Sequence, residues 1–301
     1  MRRRDFLKTS AAAGVAAALP GRLFARPGTE APVKPLKAPA TGPIPVAFVI
    51  TEGAVLIDFA GPWEVFQDVY VPSRGASMDD QMPFQLYTVS EKTEPVKISG
   101  GLKIVPDYAF ATAPAPKVIV IPAQSGGQAA VEWVRRSSGG ADVTMSVCTG
   151  AFLLAATGLL NGKSATTHHS AYKSFAMKYP DIVTKRGARF VDEGNLATAG
   201  GLTSGIDLAL HVVERYFGRE VATGTAYQLE YQGGGWRDPA SNAVYAKAMV
   251  STDAHPLCPV CEMEVDKASA PKSVYAGKTY YFCSDNHKAT FDAAPAKWLA
   301  P

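Results

Sequence analysis

Short apolar runs that alternate with helical patterns constrain the fold of this chain more than any other feature. The runs at 45–50, 84–89, 117–121 and 143–147 are rich in Val, Ile and other apolar residues. Such runs are typical of strands buried on both faces. Because helical patterns separate them, the sequence predicts an α/β domain with a mostly parallel sheet flanked by helices. Functional groups in such folds gather at the carboxyl ends of the strands.

The helical patterns between these runs differ in strength. The clearest covers 203–217, where Ile206, Leu210, Val213 and Phe217 form one apolar stripe and Ser204 and Asp207 are expected to cap the start. A Gly-Gly pair inside 96–105 predicts a hairpin. The other predicted helices cover 62–70, 128–136, 151–157 and 170–178.

The amino terminus has the anatomy of an export signal. Arg3-Arg4 precedes Phe6-Leu7-Lys8, in a twin-arginine pattern, and an Ala-rich run too short to span a bilayer follows. We expect cleavage near Ala25 and a periplasmic destination; an uncleaved anchor or a cytoplasmic basic tail is the alternative. Residues 1–25 hold five basic and one acidic side chain, so their loss changes the net charge from +3 to −1. This near-neutral balance argues against a nucleic-acid partner, and no stable membrane span is expected in the mature chain.

Composition and the Pro- and Gly-rich breaks in the sequence predict two domains. A length of 301 residues with 47% hydrophobic content suits one substantial core and a small satellite. The predicted boundaries are an export signal at 1–25, a flexible leader at 26–43, a catalytic domain at 44–232, a linker at 233–254 and a metal-binding domain at 255–301. The last unit is too small to be held by apolar burial alone.

Cys148 lies where a predicted strand turns sharply into a helix. The small residues after it permit a tight turn, as in a nucleophile elbow. The helix amino terminus is expected to lower the pKa of the thiol. The backbone N–H groups of Thr149 and Gly150 are then placed to bind a developing oxyanion. The alternative is a buried structural cysteine.

The carboxyl-terminal unit has the spacing of a metal site. Cys258 and Cys261 form C-x2-C, and after a gap of 21 residues Cys283 and His287 form C-x3-H. Two close pairs of ligands on separate turns can close a tetrahedral site. Three cysteines and one histidine favour Zn(II), while the thiolates also suit Cu(I). The alternative is a disulfide formed after export.

Three stretches carry a resemblance to a known superfamily. They begin with Asp58-Phe59-Ala60-Gly61-Pro62-Trp63-Glu64, with Ser146-Val147-Cys148-Thr149-Gly150-Ala151-Phe152, and with Ala199-Gly200-Gly201-Leu202-Thr203-Ser204-Gly205. Residues 45–232 thereby resemble the ThiJ/PfpI superfamily, whose fold is a flavodoxin-like, class I glutamine amidotransferase-like sandwich. The isonitrile hydratase-like branch, which also supplies ligand domains of some AraC-type regulators, is the most similar. No DNA-binding helix pair follows, so a regulator is not expected.

The resemblance implies roles for particular residues. Cys148 would be the nucleophile, Asp58 the acid that exchanges a proton with it, and His168 a histidine near the thiol. His169 is expected to point elsewhere, because neighbouring residues of a strand face opposite sides. The alternatives are a helix N-cap for Asp58 and a packed or interface role for His168. Where the family has Pro-Gly-Gly, this chain has Pro122-Ala123-Gln124-Ser125-Gly126-Gly127, so Gly126 is the displaced candidate for an oxyanion donor. A small electrophilic substrate, a homodimer and no cofactor in the core follow by analogy.

The carboxyl-terminal unit resembles a YHS domain. Pro259-Val260-Cys261-Glu262-Met263 and Tyr280-Tyr281-Phe282-Cys283 carry this likeness, which implies a heavy-metal partner. His287 stands where many members have a final cysteine, and Cys258 is additional.

Two classes of function are consistent with these features. The first is an enzyme, a hydro-lyase of the isonitrile hydratase type or a related cysteine-dependent lyase or hydrolase, with a glyoxalase- or deglycase-like activity as the variant. The second is a non-catalytic periplasmic metal-binding or thiol redox-sensing protein.

Overall fold

A parallel sheet forms the centre of the large domain in the computed structural model, which describes residues 34–247 and 250–299. The export signal at 1–25 and the first part of the leader, 26–33, lie outside the described residues. The strands are β1 (Ile44–Val49), β2 (Phe84–Ser90), β3 (Val96–Lys97), β4 (Lys103–Ile104), β5 (Tyr108–Ala109), β6 (Val118–Ile121), β7 (Val143–Val147), β8 (Ser164–Ala165), β9 (Val183–Thr184), β10 (Phe190–Asp192), β11 (Leu196–Ala199), β12 (Lys272–Tyr275) and β13 (Lys278–Tyr281). The helices are α1 (Leu56–Gln67), α2 (Met78–Gln81), α3 (Gln128–Ser138), α4 (Gly150–Ala156), α5 (Tyr172–Lys178), α6 (Ser204–Phe217), α7 (Arg219–Gln228), α8 (Asp285–Ala293) and α9 (Pro295–Leu299).

The order of the strands places the candidate site. In the described part of the chain the sheet runs β10-β11-β7-β6-β1-β2-β5, and every neighbouring pair is parallel except β10 and β11. The chain order reverses between β1 and β6, and the crevice at such a switch point is where open α/β sheets bind ligands. Asp58, Ala123 and Cys148 follow β1, β6 and β7, so the topology brings them to this crevice. The predicted α/β class is confirmed.

Successive side chains of each central strand point alternately into two cores, one on each face of the sheet. Val46 and Phe48 of β1 join the core beneath α1 and α6, whereas Ala47 and Val49 join the core beneath α3 and α4. Successive side chains of a strand point to opposite faces, so an uninterrupted apolar run is needed to fill both layers. This double burial is why the four predicted strand runs lack polar alternation.

The elements differ from the sequence-based expectations at several boundaries. Helix α1 begins at Leu56 rather than at residue 62, so Asp58 lies in its first turn and is not its N-cap. Asp207 does not cap α6; its carboxylate accepts from Arg189 Nε at 2.6 Å. The hairpin predicted at 96–105 is present as β3 and β4. Strands β10 and β11 and helix α7 were not predicted.

The carboxyl-terminal unit has a small core of its own that rests on the large domain. Seven of its buried side chains pack together, and Met177 of α5 packs against them. Lys173 Nζ, also on α5, donates to the carbonyl of Trp298 at 2.7 Å. The seven are Cys258, Val260, Cys261, Val265, Phe282, Phe291 and Trp298.

The leader contacts the large domain through its backbone. The Leu36 N–H donates to the carbonyl of Arg215 at 2.7 Å, so the described end of the leader lies along α6.

Within residues 34–247 and 250–299, no helix combines the length and the apolar character that a membrane crossing requires.

Candidate active site and metal centre

Cys148 occupies a strained turn between β7 and α4. Its φ is 58°, in the left-handed region that non-glycine residues rarely adopt. The turn is tight because a Cβ at Gly150 would lie 2.2 Å from the carbonyl oxygen of Ile121. The Cys148 N–H donates to the carbonyl of Gly200 at 2.8 Å, and Thr167 Oγ1 donates to the Cys148 carbonyl at 2.9 Å. These bonds hold the sulfur at the carboxyl end of β7, as in a nucleophile elbow.

Asp58 is the acidic partner of this thiol. Its side chain is fully buried, and Oδ2 accepts from the Ala123 N–H at 3.0 Å. Oδ1 has no conventional hydrogen-bond partner among the described residues, and the Cys148 thiol interacts with the carboxyl. Burial raises the pKa of Asp58 to about 6, and hydrogen bonding from the Ala123 N–H and the thiol opposes this rise.

The pKa of Cys148 does not shift in the expected direction. Burial, and next the Asp58 charge, raise the pKa of the thiol to about 12. The Thr149 and Leu202 N–H groups and the Thr149 side chain favour the thiolate and oppose this rise in the pKa. The Thr149 N–H at the helix start thus favours the thiolate, but desolvation of a side chain that is 8% exposed outweighs it.

His168 lies beside the thiol turn without a described contact to the sulfur. A Cβ on Gly201 would lie 2.2 Å from the His168 ring, so the ring packs on the turn after β11. Its Nδ1 pairs with Ser170 Oγ at 2.8 Å, and burial, then His169, lower its pKa. The interactions on the sulfur within the described residues come from Asp58, Thr149 and Leu202.

His169 does not face away from His168. A 3-10 turn (His169–Ala171) replaces the expected strand, and the two rings lie 4.2 Å apart between centroids. The opposite-face expectation was wrong because it assumed the two-residue repeat of a strand.

The loop after β6 is held by side chains where glycines were expected. Gln124 Oε1 accepts from the Thr51 N–H at 2.6 Å and from Thr51 Oγ1 at 2.9 Å. The Gly126 N–H donates to Thr51 Oγ1 at 3.1 Å. The Ala123 N–H is therefore engaged by Asp58 and the Gly126 N–H by Thr51, so the structure does not leave Gly126 free as the oxyanion donor that the sequence predicted.

Leu202 and Thr167 are site residues that sequence reasoning missed. Leu202 has a left-handed φ of 51°, and its N–H lowers the pKa of the Cys148 thiol. The preceding Gly200-Gly201 pair indicates a tight turn, but no sequence pattern identifies which N–H meets a side chain from another strand. Thr167 lies one residue before His168, and the sequence predicted no role for it.

The four predicted metal ligands converge in the carboxyl-terminal unit. The nearest ligand atoms of Cys258, Cys261, Cys283 and His287 all lie within 4.8 Å of one another. His287 Nδ1 lies 3.1 Å from Cys283 Sγ and 3.7 Å from Cys258 Sγ, and the sulfurs of Cys261 and Cys283 are 3.5 Å apart. Ligands about 2.0–2.3 Å from a tetrahedral zinc are separated by roughly 3.3–3.8 Å, so this donor set fits the ion.

Local structure explains how these ligands meet. The Glu262 N–H donates to the Cys258 carbonyl and the Cys258 N–H to that of Met263, both at 2.8 Å, which closes the first cysteine turn. Ser284 caps α8 by accepting from the His287 N–H at 3.3 Å, which orients His287 in the first turn of the helix. The cysteines are free thiols in this structure, not a disulfide.

The fold and the elbow define a class: an α/β protein with a buried cysteine–carboxyl pair at the switch point of its sheet. Residues 45–215 match the DJ-1/PfpI family, and this chain belongs to that family. Residues 258–301 match the YHS domain, and residues 1–20 match the twin-arginine translocation signal, which indicates export by that pathway. All three resemblances drawn from the sequence are thereby confirmed.

Several known proteins share the large domain. An isonitrile hydratase of Pseudomonas putida is 32% identical over 197 residues, covering 62% of this chain and 78% of that enzyme. The regulator GbdR of Pseudomonas aeruginosa is 24% identical over 196 residues, covering 63% of this chain but only 51% of the regulator. A ThiJ/PfpI family structure from Pseudomonas syringae has a TM-score of 0.55 at 29% identity, covering 65% of this chain and 78% of that one. Drosophila melanogaster DJ-1beta, with a TM-score of 0.53 at 20% identity and coverage of 64% and 100%, shows the shared fold.

Proposed function

We propose that the chain is an exported, cysteine-dependent enzyme of the isonitrile hydratase type, acting in the periplasm. The observation that carries this proposal is the buried Asp58–Cys148 pair at the switch point. The similarity to the Pseudomonas putida isonitrile hydratase supports the choice of reaction. In this proposal 44–232 is the catalytic domain, 233–254 the linker and 255–301 the metal-binding domain.

The first half of the proposed reaction forms a covalent adduct. At neutral pH the carboxyl, with a pKa of about 6, is ionised and the thiol is protonated, so Asp58 takes the thiol proton. The sulfur adds to the terminal carbon of the isonitrile and forms the S–C bond. Asp58 then returns the proton to that carbon, which leaves a thioimidate on Cys148.

The second half consumes water and releases the enzyme. Asp58 takes a proton from a water molecule, whose oxygen adds to the thioimidate carbon. Asp58 passes this proton to the nitrogen. The C–S bond then breaks as the hydroxyl of the adduct loses its proton to Asp58 and becomes the carbonyl, and Asp58 returns that proton to the departing thiolate. The net reaction adds one water to the isonitrile and gives an N-substituted formamide. The Thr149 and Leu202 N–H groups stabilise the sulfur as it gains charge.

The surroundings of Cys148 favour this function over redox sensing. A sensor thiol reacts because it is exposed and has a low pKa. Cys148 is 8% exposed and its pKa is raised, so it needs a local base, which Asp58 provides.

The metal centre has a structural part in this proposal. Cys258, Cys261, Cys283 and His287 would hold Zn(II), or Cu(I) through the thiolates. Bound Zn(II) would supply the folding free energy that the small core of this unit lacks.

The proposal is tested by hydration of an alkyl isonitrile, followed as formamide formation by NMR. The Cys148→Ser variant should abolish turnover, and Asp58→Asn should lower kcat/KM by roughly 10²–10⁴. The matched control is Asp79→Asn, at an exposed carboxyl on α2, which should retain wild-type turnover. Full turnover by Cys148→Ser would contradict the proposal.

A further inference from the structure

A segment outside both family matches packs against the turn that holds the thiol. The interdomain segment, residues 235–246, contains two short 3-10 turns, Gly235–Arg237 and Ala243–Tyr245. It lies between the regions at 45–215 and 258–301 that match known families. Its contacts with the large domain are specific, and they reach the thiol site at one end and the metal centre at the other.

Asn242 joins the interdomain segment to the turn after β11. This side chain is 7% exposed; Nδ2 donates to Ser204 Oγ at 3.3 Å, and Oδ1 accepts from Arg189 Nη1 at 3.2 Å. A Cβ on Gly200 would lie 2.8 Å from Asn242 Nδ2, so the amide lies directly on the turn. Arg189 makes a second contact with the segment, since its backbone N–H donates to the Pro239 carbonyl at 2.6 Å.

The same turn makes two of the contacts that hold Cys148. The Gly200 carbonyl accepts the Cys148 N–H, and the Leu202 N–H lies near enough to the sulfur to lower the pKa of the thiol. Leu202 adopts a left-handed φ of 51° that a leucine keeps only where its surroundings enforce it. Asn242 packs on Gly200, and Arg189 Nη2 donates to Thr203 Oγ1 at 3.1 Å, so these two side chains hold the turn on either side of Leu202.

Arg186 joins the other end of the segment to the metal centre. Its Nε donates to the Ala246 carbonyl at 3.2 Å, and its Nη2 donates to Glu262 Oε2 at 2.8 Å. Glu262 directly follows the ligand Cys261 and has a left-handed φ of 61°. Beside this link, Tyr245 stacks on His169, with ring centroids 4.6 Å apart.

We propose that the interdomain segment couples occupancy of the metal centre to the reactivity of Cys148, with Asn242 as a positioning residue and Arg186 as the link. This inference rests on the proposed role of Cys148 as a nucleophile. A bound metal fixes the Cys258–Cys261 turn, which holds Glu262 on Arg186 and the segment on the turn at 200–204. Loss of the metal releases this chain of contacts, so the Leu202 N–H leaves the sulfur and the thiol reacts more slowly.

The test is the rate at which iodoacetamide alkylates Cys148 in the full mature chain, resolved by mass spectrometry of the peptide that contains it. We expect the zinc-loaded protein to react at least about fivefold faster than the chelated protein, the lower bound of common coupling energies. The Arg186→Ala variant should bind zinc with unchanged stoichiometry but alkylate at the chelated rate in both states. Glu262→Gln tests the same link from the other partner.

Asn242 is tested for positioning rather than for general stability. Asn242→Ala should lower the rate to that of the chelated protein at an unchanged melting temperature of the large domain. Asn242→Asp keeps the acceptor for Arg189 and should restore most of the rate.

Two kinds of result distinguish a failure of the coupling from a failure of the proposed function. Equal rates in the zinc-loaded and chelated wild type, or an Arg186→Ala variant that keeps the zinc dependence, would overturn the coupling and leave the proposed function intact. A Cys148 that fails to react in every form would overturn the proposed function and the coupling together.

Discussion

At the scale of single residues, the Asp58 carboxyl and the Cys148 thiol lie in contact inside the protein. Burial raises the pKa of both groups, and the Asp58 charge raises that of the thiol further. The pKa of Cys148 is therefore not lowered by its place at a helix start. In the proposed function the acceptor for the thiol proton is the neighbouring Asp58 carboxylate, whose pKa of about 6 is well placed for proton exchange near neutral pH.

The first prediction concerns the pH dependence of Cys148 alkylation. Below a pH of about 6 Asp58 is protonated and cannot accept the thiol proton, so the rate should rise through a midpoint near 6 and then level off. In Asp58→Asn that midpoint should disappear. A wild-type rate that rises steadily to alkaline pH, with no inflection near 6, would show that Asp58 is not the base.

A second prediction concerns the free energy of unfolding, because burial of the ionised Asp58 carboxylate destabilises the folded protein. Its pKa is about 6 in the folded state against 3.8 as the ordinary value, so the folded state binds the proton more tightly. The free energy of unfolding should therefore fall as the pH rises from about 4 to about 6, by about 3 kcal/mol from this group. Urea unfolding at several pH values measures it, with Asp58→Asn as the reference that lacks this contribution. Parallel curves for the two proteins would contradict the prediction.

At the scale of elements, the junction between β7 and α4 depends on the absence of a side chain at Gly150. A Cβ there would meet the backbone oxygen of Ile121, which has no flexible end that can move aside. The start of α4 and the loop after β6 are thus packed backbone to backbone.

The third prediction follows from this contact. Gly150→Ala should destabilise the protein by about 1–3 kcal/mol and slow Cys148 alkylation, because α4 must shift. The matched control is Gly139→Ala at the end of α3, where the residue is already right-handed and a Cβ meets its nearest neighbour at 3.6 Å. The control should be neutral or slightly stabilising in the same thermal melts. Equal melting temperatures for the two variants would contradict the claim that a side chain at residue 150 clashes with the backbone of the neighbouring loop.

The elements show what the sequence could and could not predict. The four long apolar strands were predictable because burial on both faces leaves an uninterrupted apolar run. Strand β11 was not, since Leu-Ala-Thr-Ala is short and its pairing with β7 is non-local. Helix α1 was predicted too late because Pro62 was taken as its start, although the structure carries that proline inside the helix. Cys148, Asp58 and the metal ligands were found from motifs, while Leu202 and Asn242 depend on contacts between distant segments.

At the scale of the whole molecule, a large α/β domain is joined to a unit of fewer than 50 residues whose core includes two of its own metal ligands. Cys258 and Cys261 are buried in that core beside Phe282 and Phe291. Folding of the unit and binding of the metal are therefore expected to be linked.

The fourth prediction is that chelation unfolds only the small unit. Removal of the metal should abolish hydrogen-exchange protection in 258–299 and leave that of β1, β6 and β7 unchanged, because the large domain has its own two-layered core. Cys283→Ser should reproduce this pattern without chelator. Full protection of 258–299 in the metal-free protein would show that the apolar core suffices.

The most direct test of the central claim is to trap the adduct between the protein and an alkyl isonitrile. The mature protein is mixed with the isonitrile, quenched within one turnover and digested for mass spectrometry. The peptide that contains Cys148 should gain the mass of one isonitrile molecule, and the tail cysteines should gain none. Formamide production without any adduct on Cys148, or with adducts confined to the tail, would contradict the account.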